Sequence, residues 1–335
     1  EPVNNVDVAD FSVFGTTASV ASVTNPSGNV YRVTVSGGDL AALNATVILG
    51  FAANDITDAA GNAFVNITPT GTNDNTFVVD NTSPLISSIA RQSPTTSPTN
   101  ADALVWDVTF DEPVNNVDVT DFAVLGTTAT IASVTNPSGN VYRVTVSGGD
   151  LAALDATVIL GFAGGQDIAD AVGNTLTDLT PTGTNDNTFV LDNTEPLISS
   201  IARQSPTTSP TNADALVWDV TFDGPVSNLD ATDFGVIGTT ATVASVTNPS
   251  GNVYRVTVSG GDLAALNATV TLGFAGSQDI TDAVGNALTN LTPTGTNDNT
   301  FVLDNTNPLI SSIARQSPTT SPTNADALVW DVTFD

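Results

Sequence analysis

The feature that most constrains this chain is its repetition. Glu1–Asp111, Glu112–Asp223 and Gly224–Asp335 are three copies of one unit, of 111, 112 and 112 residues. The one-residue difference lies between Phe51 and Asp55, where Ala-Ala-Asn stands for the Ala-Gly-Gly-Gln and Ala-Gly-Ser-Gln of the other copies. Blocks such as Thr24–Leu43 and Ile86–Asp111 are identical in all three. A unit of this length is a whole domain rather than a solenoid turn, so the chain is a tandem array whatever one unit folds into.

Within a unit, short alternating runs rich in Val, Thr, Ile and Phe are separated by Pro, Gly, Asn and Asp, the pattern of an all-β domain. Strands are expected at Ile86–Arg91, Leu104–Phe110, Asp121–Leu125, Ala129–Val134, Val141–Ser147, Ala156–Phe162 and Thr188–Asp192. Seven strands point to a Greek-key immunoglobulin-like sandwich, repeated in an elongated array. Leu104, Trp106, Val108 and Phe110 alternate with polar or smaller residues, which turns one face and the only tryptophan of the unit into the core. Tyr142, Val144 and Val146 do the same. Gly148–Leu154 reads as a helical turn and Asn136–Asn140 as a hairpin turn.

The physical joint is expected at Asp80-Asn81-Thr82-Ser83-Pro84, with equivalents at Asp192–Pro196 and Asp304–Pro308. Residues 1–82 then form a domain lacking its first two strands, 83–194 and 195–306 are complete, and 307–335 are two strands without a domain. Two readings of these complementary halves stay open: a window on a longer tandem array, or strand donation between molecules. The absence of methionine adds the expectation that the chain is part of something longer.

Composition narrows the chemistry. The formal charge is −29 from 35 acids, 32 of them aspartate, against six arginines. Lysine, histidine, cysteine and methionine are absent, which excludes a Ser-His-Asp triad, Cys or Lys nucleophiles, Cys/His zinc sites and disulfides. Nucleic acid is not an expected partner, because isolated arginines among carboxylates cannot line up phosphate contacts. Membrane insertion is not expected either: no run approaches the ~20 apolar residues of a spanning helix. The arginines fall in or beside strands and are expected to pair with aspartates.

The run Trp106-Asp-Val-Thr-Phe-Asp-Glu-Pro-Val114, then Val117-Asp118-Val-Thr-Asp121-Phe122, Tyr142-Arg-Val-Thr-Val146, Ile168-Ala-Asp170-Ala-Val-Gly173-Asn174 and Asp192-Asn193-Thr194-x-Pro196 resembles the bacterial immunoglobulin-like tandem domains of giant surface adhesins and extracellular matrix fibres. The Asp-Asn-Thr-x-Pro linker resembles the calcium-binding joint of cadherins, in a shorter form. The resemblance implies a structural or adhesive role at the cell surface or outside the cell, with calcium stiffening the joints.

Strand order gives an independent reason to expect ion sites there. If the first strand leaves the joint and the second returns to it, the linker meets two loops at one pole. For the first complete domain these bring Asp80, Asn81, Asp111, Glu112, Asp167, Asp170 and Asn174 together. For the next they bring Asp192, Asn193, Asp223, Asp279, Asp282 and Asn286. Calcium takes six to eight oxygens from such mixtures. The competing reading is turn chemistry, since Asp and Asn side chains satisfy nearby backbone groups. Gly224 stands where Glu1 and Glu112 stand in the other copies, so that glutamate is not needed in every unit. Asn100-Ala-Asp102 is expected to be a capped turn, with a position facing the next joint as the alternative.

The expected function is the structural shaft of an extracellular fibre or surface adhesin, with neighbouring copies of the repeat as partners and an unidentified distal ligand. A carbohydrate-binding or surface-ligand-binding module is the alternative, disfavoured by inward-facing Trp and Tyr. An enzyme is not expected, because paired aspartates copied nearly verbatim from unit to unit read as turns or ion ligands.

Overall fold

The computed structural model describes all 335 residues. The chain divides into two compact units, Glu1–Ser97 with Ala101–Leu191, and Pro98–Asn100 with Asp192–Asp335. In the first unit the strands are β1 (Val3–Asn4), β2 (Phe11–Phe14), β3 (Ser19–Ser27), β4 (Val30–Ser36), β5 (Ala45–Phe51), β6 (Thr57–Asp58), β7 (Thr76–Val79), β8 (Ile86–Ser93), β9 (Ala103–Phe110), β10 (Phe122–Leu125), β11 (Thr130–Ser138), β12 (Val141–Ser147), β13 (Thr157–Phe162) and β14 (Thr188–Val190). The last seven make two antiparallel sheets, β11-β12-β9-β8 and β10-β13-β14. Numbered within the domain, strands 1, 2, 5 and 4 share one sheet and 3, 6 and 7 the other, the constant-type immunoglobulin arrangement.

One core fills this sandwich, from Ile86 to Leu191. Along β9 burial alternates without exception, Leu104, Trp106, Val108 and Phe110 inward, because successive side chains of a strand point to opposite faces. Trp106 is fully buried and meets Phe189 edge-on at 4.9 Å. Its indole N–H, which would be costly to bury unpaired, donates to the Asp186 carbonyl at 3.1 Å. In β8 the strict period fails: Ile86 and Ile89 are both buried although three residues apart. A register shift between Ile86 and Ser88 inserts one residue and resets the phase.

The second unit repeats the sandwich with β15 (Ile198–Ser205), β16 (Ala215–Phe222), β17 (Phe234–Ile237), β18 (Thr242–Ser250), β19 (Val253–Ser259), β20 (Thr269–Phe274) and β21 (Thr300–Val302). They form sheets β15-β16-β19-β18 and β17-β20-β21 around a core from Ile198 to Leu303. It ends in an isolated hairpin, β22 (Ile310–Ser317) with β23 (Val329–Phe334), whose residues are all exposed. Residues 1–79 carry only β3-β4, β2-β5-β7 and the two-residue pair β1-β6.

Several strand limits differ from those expected. Asp121 belongs to a 3-10 turn, Val119–Asp121, and not to β10. Its buried carboxylate accepts the Asp118 N–H while Asp118 accepts the Thr120 N–H, a capping box. β11 runs on to Ser138 through a second register shift, so the hairpin loop shrinks to Gly139-Asn140. The last strand stops at Val190, and the helical turn occupies Leu151–Ala153. The inward orientation expected of tryptophan holds for Trp106 and Trp218, whereas Trp330 is 52% exposed.

Four of the six arginines divide into two roles. Arg143 and Arg255 each grip one carboxylate with two N–H groups, Asp107 and Asp219. Arg91 and Arg203 donate to the Thr188 and Thr300 carbonyls and lie over Phe189 and Phe301. Arg91 also has a loose ion pair with Asp186 at 3.8 Å.

Candidate functional site

The acidic pole of the first complete sandwich is assembled from three segments. Asp80 follows β7, Glu112 follows β9, and Asp170 sits in the connection between β13 and β14. The strand end is fixed to the linker by a mutual clasp: Asp111 N–H donates to the Leu85 carbonyl at 3.0 Å, and the Asp111 carboxylate accepts the Leu85 N–H at 2.7 Å.

The long loop is built around Asp170, which is 3% exposed. One of its oxygens accepts the N–H groups of Val172, Gly173 and Asn174 at 2.9, 2.7 and 2.8 Å. The other accepts the Asn174 amide at 2.8 Å. Such a nest turns the backbone back on itself and needs a left-handed residue, supplied by Gly173 at φ +100°. The same Asn174 amide reaches the Asp80 carbonyl at 3.1 Å and so ties loop to linker.

The result is a triad: carboxylate oxygens of Asp80, Glu112 and Asp170 lie within 4.8 Å of one another. Burial, then the carboxylates of Asp111, Asp170 and Asp80, push the Glu112 carboxyl above its usual range. Burial also pushes Asp170 upward, but hydrogen bonds from the Asn174 side chain and from the N–H groups of Asn174, Val172 and Gly173 outweigh it and hold the group below its ordinary value. Two carboxylates and a buried, hydrogen-bonded third fit a hard cation with oxygen ligands.

Other expected ligands lie elsewhere. Asn81 is exposed and engaged with the preceding loop, donating to the Leu40 and Leu43 carbonyls and accepting no cluster contact; its N–H donates to Asn44. Asp111 is used in the clasp. Asp167 is exposed, its N–H donating to Asp121 and its carbonyl accepting from Asn116. Asp121 is the residue that sequence reading missed. It joins the 3-10 turn to the long loop, and the Asp118-x-x-Asp121 spacing is the signal that marks it.

The second complete sandwich repeats the frame without the triad. Asp282 holds the same nest, accepting from Val284, Gly285 and Asn286. The Asn286 amide donates to the carbonyls of Asp192 and Thr194 at 2.9 and 3.1 Å, and Asp223 clasps Leu197. Gly224 leaves no carboxylate between them. The Asn286 side-chain oxygen accepts the Asn100 amide at 3.1 Å, so Asn100 faces this joint rather than merely capping its own turn. Asn193 is half-buried and also partnered; Asp279 is exposed and accepts from Asn228 through its carbonyl. Glu195, in the linker, accepts the Thr289 hydroxyl.

In residues 1–79 the nest recurs a third time, Asp58 accepting from Ala60 and from the backbone and amide of Asn62. Turn chemistry alone therefore accounts for the Asp and Asn of the nest. What distinguishes the first joint from the second is Glu112, where the second has Gly224; Asp80 has its counterpart in Asp192.

Fold and pole together define a class: tandem immunoglobulin-type sandwiches, free of disulfides, whose short acidic linkers are hydrogen-bonded into the loops of the domain that follows. No family profile and no curated protein matches the chain. Among solved structures it is similar to the human desmocollin-1 ectodomain at 12% identity, covering 86% of this chain and 51% of that one with a TM-score of 0.28. It is also similar to an endo-fucoidan hydrolase of glycoside hydrolase family 107 at 12% identity, covering 80% and 38%, with a TM-score of 0.16. The chain thus spans about half of the desmocollin ectodomain. No helix is long and apolar enough to cross a membrane.

Proposed function

We propose that the chain is a stretch of the non-catalytic, load-bearing shaft of an extracellular fibre or surface adhesin, with a divalent cation, calcium by its oxygen donors, closing the joint at Asp80, Glu112 and Asp170. The observation that carries this reading is the joint itself: in both complete sandwiches one asparagine amide, Asn174 or Asn286, binds the linker carbonyl and the nest carboxylate together. A linker meant only to tether domains has no use for such a tie, whereas a shaft needs each domain held to the chain that enters it. A cation at the first joint would neutralise the carboxylates that, with burial, now raise the proton affinity of Glu112.

The test compares thermal unfolding and small-angle scattering in chelator and in millimolar calcium. Calcium is expected to raise the melting temperature and lengthen the maximum dimension. Superimposable melts and scattering curves would remove the cation from the proposal.

A further inference from the structure

An aspartate or asparagine side chain cyclises onto its own backbone most readily when the next residue leaves its amide nitrogen unshielded, and glycine, with no Cβ, does this best. The chain holds 32 aspartates and 26 glycines, yet Asp223 is the only aspartate followed by glycine, and no asparagine is. This one dipeptide stands at the second joint. Asp223 is the residue that clasps the linker there: its N–H donates to the Leu197 carbonyl at 3.0 Å, and its carboxylate accepts the Leu197 N–H at 2.9 Å. Asp223 is exposed, and a Cβ placed on Gly224 would meet nothing within 4 Å, so there is room for a ring. We propose that Asp223-Gly224 is a self-modifying site, which converts to isoaspartate without an enzyme and in doing so releases the clasp of the second joint.

The step needs only water. The Gly224 nitrogen attacks Cγ of the protonated Asp223 carboxyl. A bond forms between them as the C–OH bond breaks, and the amide proton leaves with the hydroxyl as water. The resulting five-membered succinimide takes water back at either of its carbonyls. Opening on the Cγ side restores aspartate. Opening at the main-chain carbonyl leaves Gly224 bonded through Cγ, so the main chain is one methylene longer and the free carboxylate sits on Cα.

Clasp and reaction compete for the same carboxyl. In the closed joint Leu197 holds it; in a local opening, of the kind folded proteins undergo at exposed hydrogen bonds, the Gly224 nitrogen is its nearest partner. Isoaspartate cannot close the clasp again, because its N–H and its carboxylate no longer stand at the spacing that the Leu197 carbonyl and N–H require. Conversion therefore turns a transient opening into a lasting one. The first joint is protected from this. Asp111 makes the same clasp on Leu85, but Glu112 follows it, and a side chain on the next residue crowds the attacking nitrogen. The replacement of Glu112 by Gly224 thus removes a carboxylate from the second joint and at the same time opens its clasp to cyclisation.

The full chain is aged in warm neutral buffer, and isoaspartate is located by peptide mapping and by enzymatic methylation of its free α-carboxyl. It should accumulate at residue 223 ahead of every other aspartate. Amide hydrogen exchange should show the Leu197 N–H losing protection in step, while Leu85 keeps its own. Gly224→Ala, at a position where Glu112 shows that the fold accepts a side chain, should slow both changes several-fold. Repair by an isoaspartyl methyltransferase, which returns the residue through the succinimide to aspartate, should restore protection at Leu197, as general damage would not allow.

An aged chain without isoaspartate at residue 223 would overturn the proposal; if the chain aged in urea forms it there, the clasp is what prevents the reaction. Conversion that leaves Leu197 protected would overturn the release of the clasp. Equal accumulation in Gly224→Ala would show that the glycine does not direct the reaction, and would overturn the proposal as well.

Discussion

The joint entered through Asp80 and the joint entered through Asp192 have the same backbone frame and different chemistry. Both have the nest aspartate, the bridging asparagine and the clasp at the end of the second strand. The first adds Glu112 and gathers three carboxylates within 4.8 Å. The second has Gly224 there, and its asparagine oxygen is already satisfied by Asn100. The frame is therefore common to both joints, and the carboxylate triad is an addition to it at one of them. At the first joint three carboxylates gather; at the second the Asn286 amide keeps its bond to the Asp282 carboxylate while its oxygen accepts from Asn100.

The largest expected effect tests whether the frame is shared. Asp170→Ala removes the acceptor of three backbone N–H groups and one amide. At about 1.5–3 kcal/mol for a hydrogen bond to a charged group, and allowing for non-additivity, the first sandwich should lose about 3 kcal/mol or more. Asp282→Ala should cost the second sandwich as much. Urea unfolding of each variant checks this, and a loss confined to one sandwich would break the equivalence of the two frames.

A smaller effect tests the difference. Gly224→Glu places the missing carboxylate in the second joint, and should give its sandwich a calcium-dependent melting temperature. Saturation at about 100 times the dissociation constant stabilises by about 2.7 kcal/mol, enough for a shift of roughly 10 °C in a domain of this size. Calorimetry with and without chelator reads it directly. No calcium response would show that the glutamate alone does not make the site, and that the Asn100 amide, by holding Asn286, keeps the second joint closed.

The contrast between the joints was half legible in the sequence. Gly224 against Glu112 is visible by aligning the copies, and strand order places the linker and both loops at one pole. The fold was legible for the same kind of reason: β9 keeps strict alternation and β12 keeps it from Arg143 onward, so their inward residues could be read off. What escaped reading depends on departures from period. The shift at Ile86–Ser88 resets β8, and Asp121 looks like the start of a strand because its capping role depends on Asp118 three residues earlier. Asp167, Asn81 and Asp111 stand among the expected ligands because proximity along the chain says nothing about direction. Asn81 and Asp111 use their side chains on the preceding loop and on Leu85, and Asp167 is exposed and bonded through its backbone. Trp330 is the converse case: its pattern says inward, but a pattern cannot supply the groove that makes it so.

The smallest effect is a slope with pH, and its sign follows from Glu112. Without a cation the folded chain holds this carboxyl above its ordinary range, through burial and then the neighbouring Asp111, Asp170 and Asp80. Between the ordinary value and the raised one, the folded state binds more protons than the unfolded state, so stability falls as pH rises through that window. Asp170 acts oppositely. Burial pushes it up, yet its hydrogen bonds from Asn174, Val172 and Gly173 win and hold it low. The stability it contributes is present above the ordinary aspartate value and is lost as pH falls through the depressed one. The two windows lie on either side of the ordinary carboxylate range, so they separate in a titration of stability. Glu112→Gln should flatten only the upper one, as measured by urea midpoints in chelator. Gly224 contributes no such group to the second joint, so unfolding of its sandwich should keep the same pH profile in the variant. A change there would mean that Glu112 acts beyond its own joint.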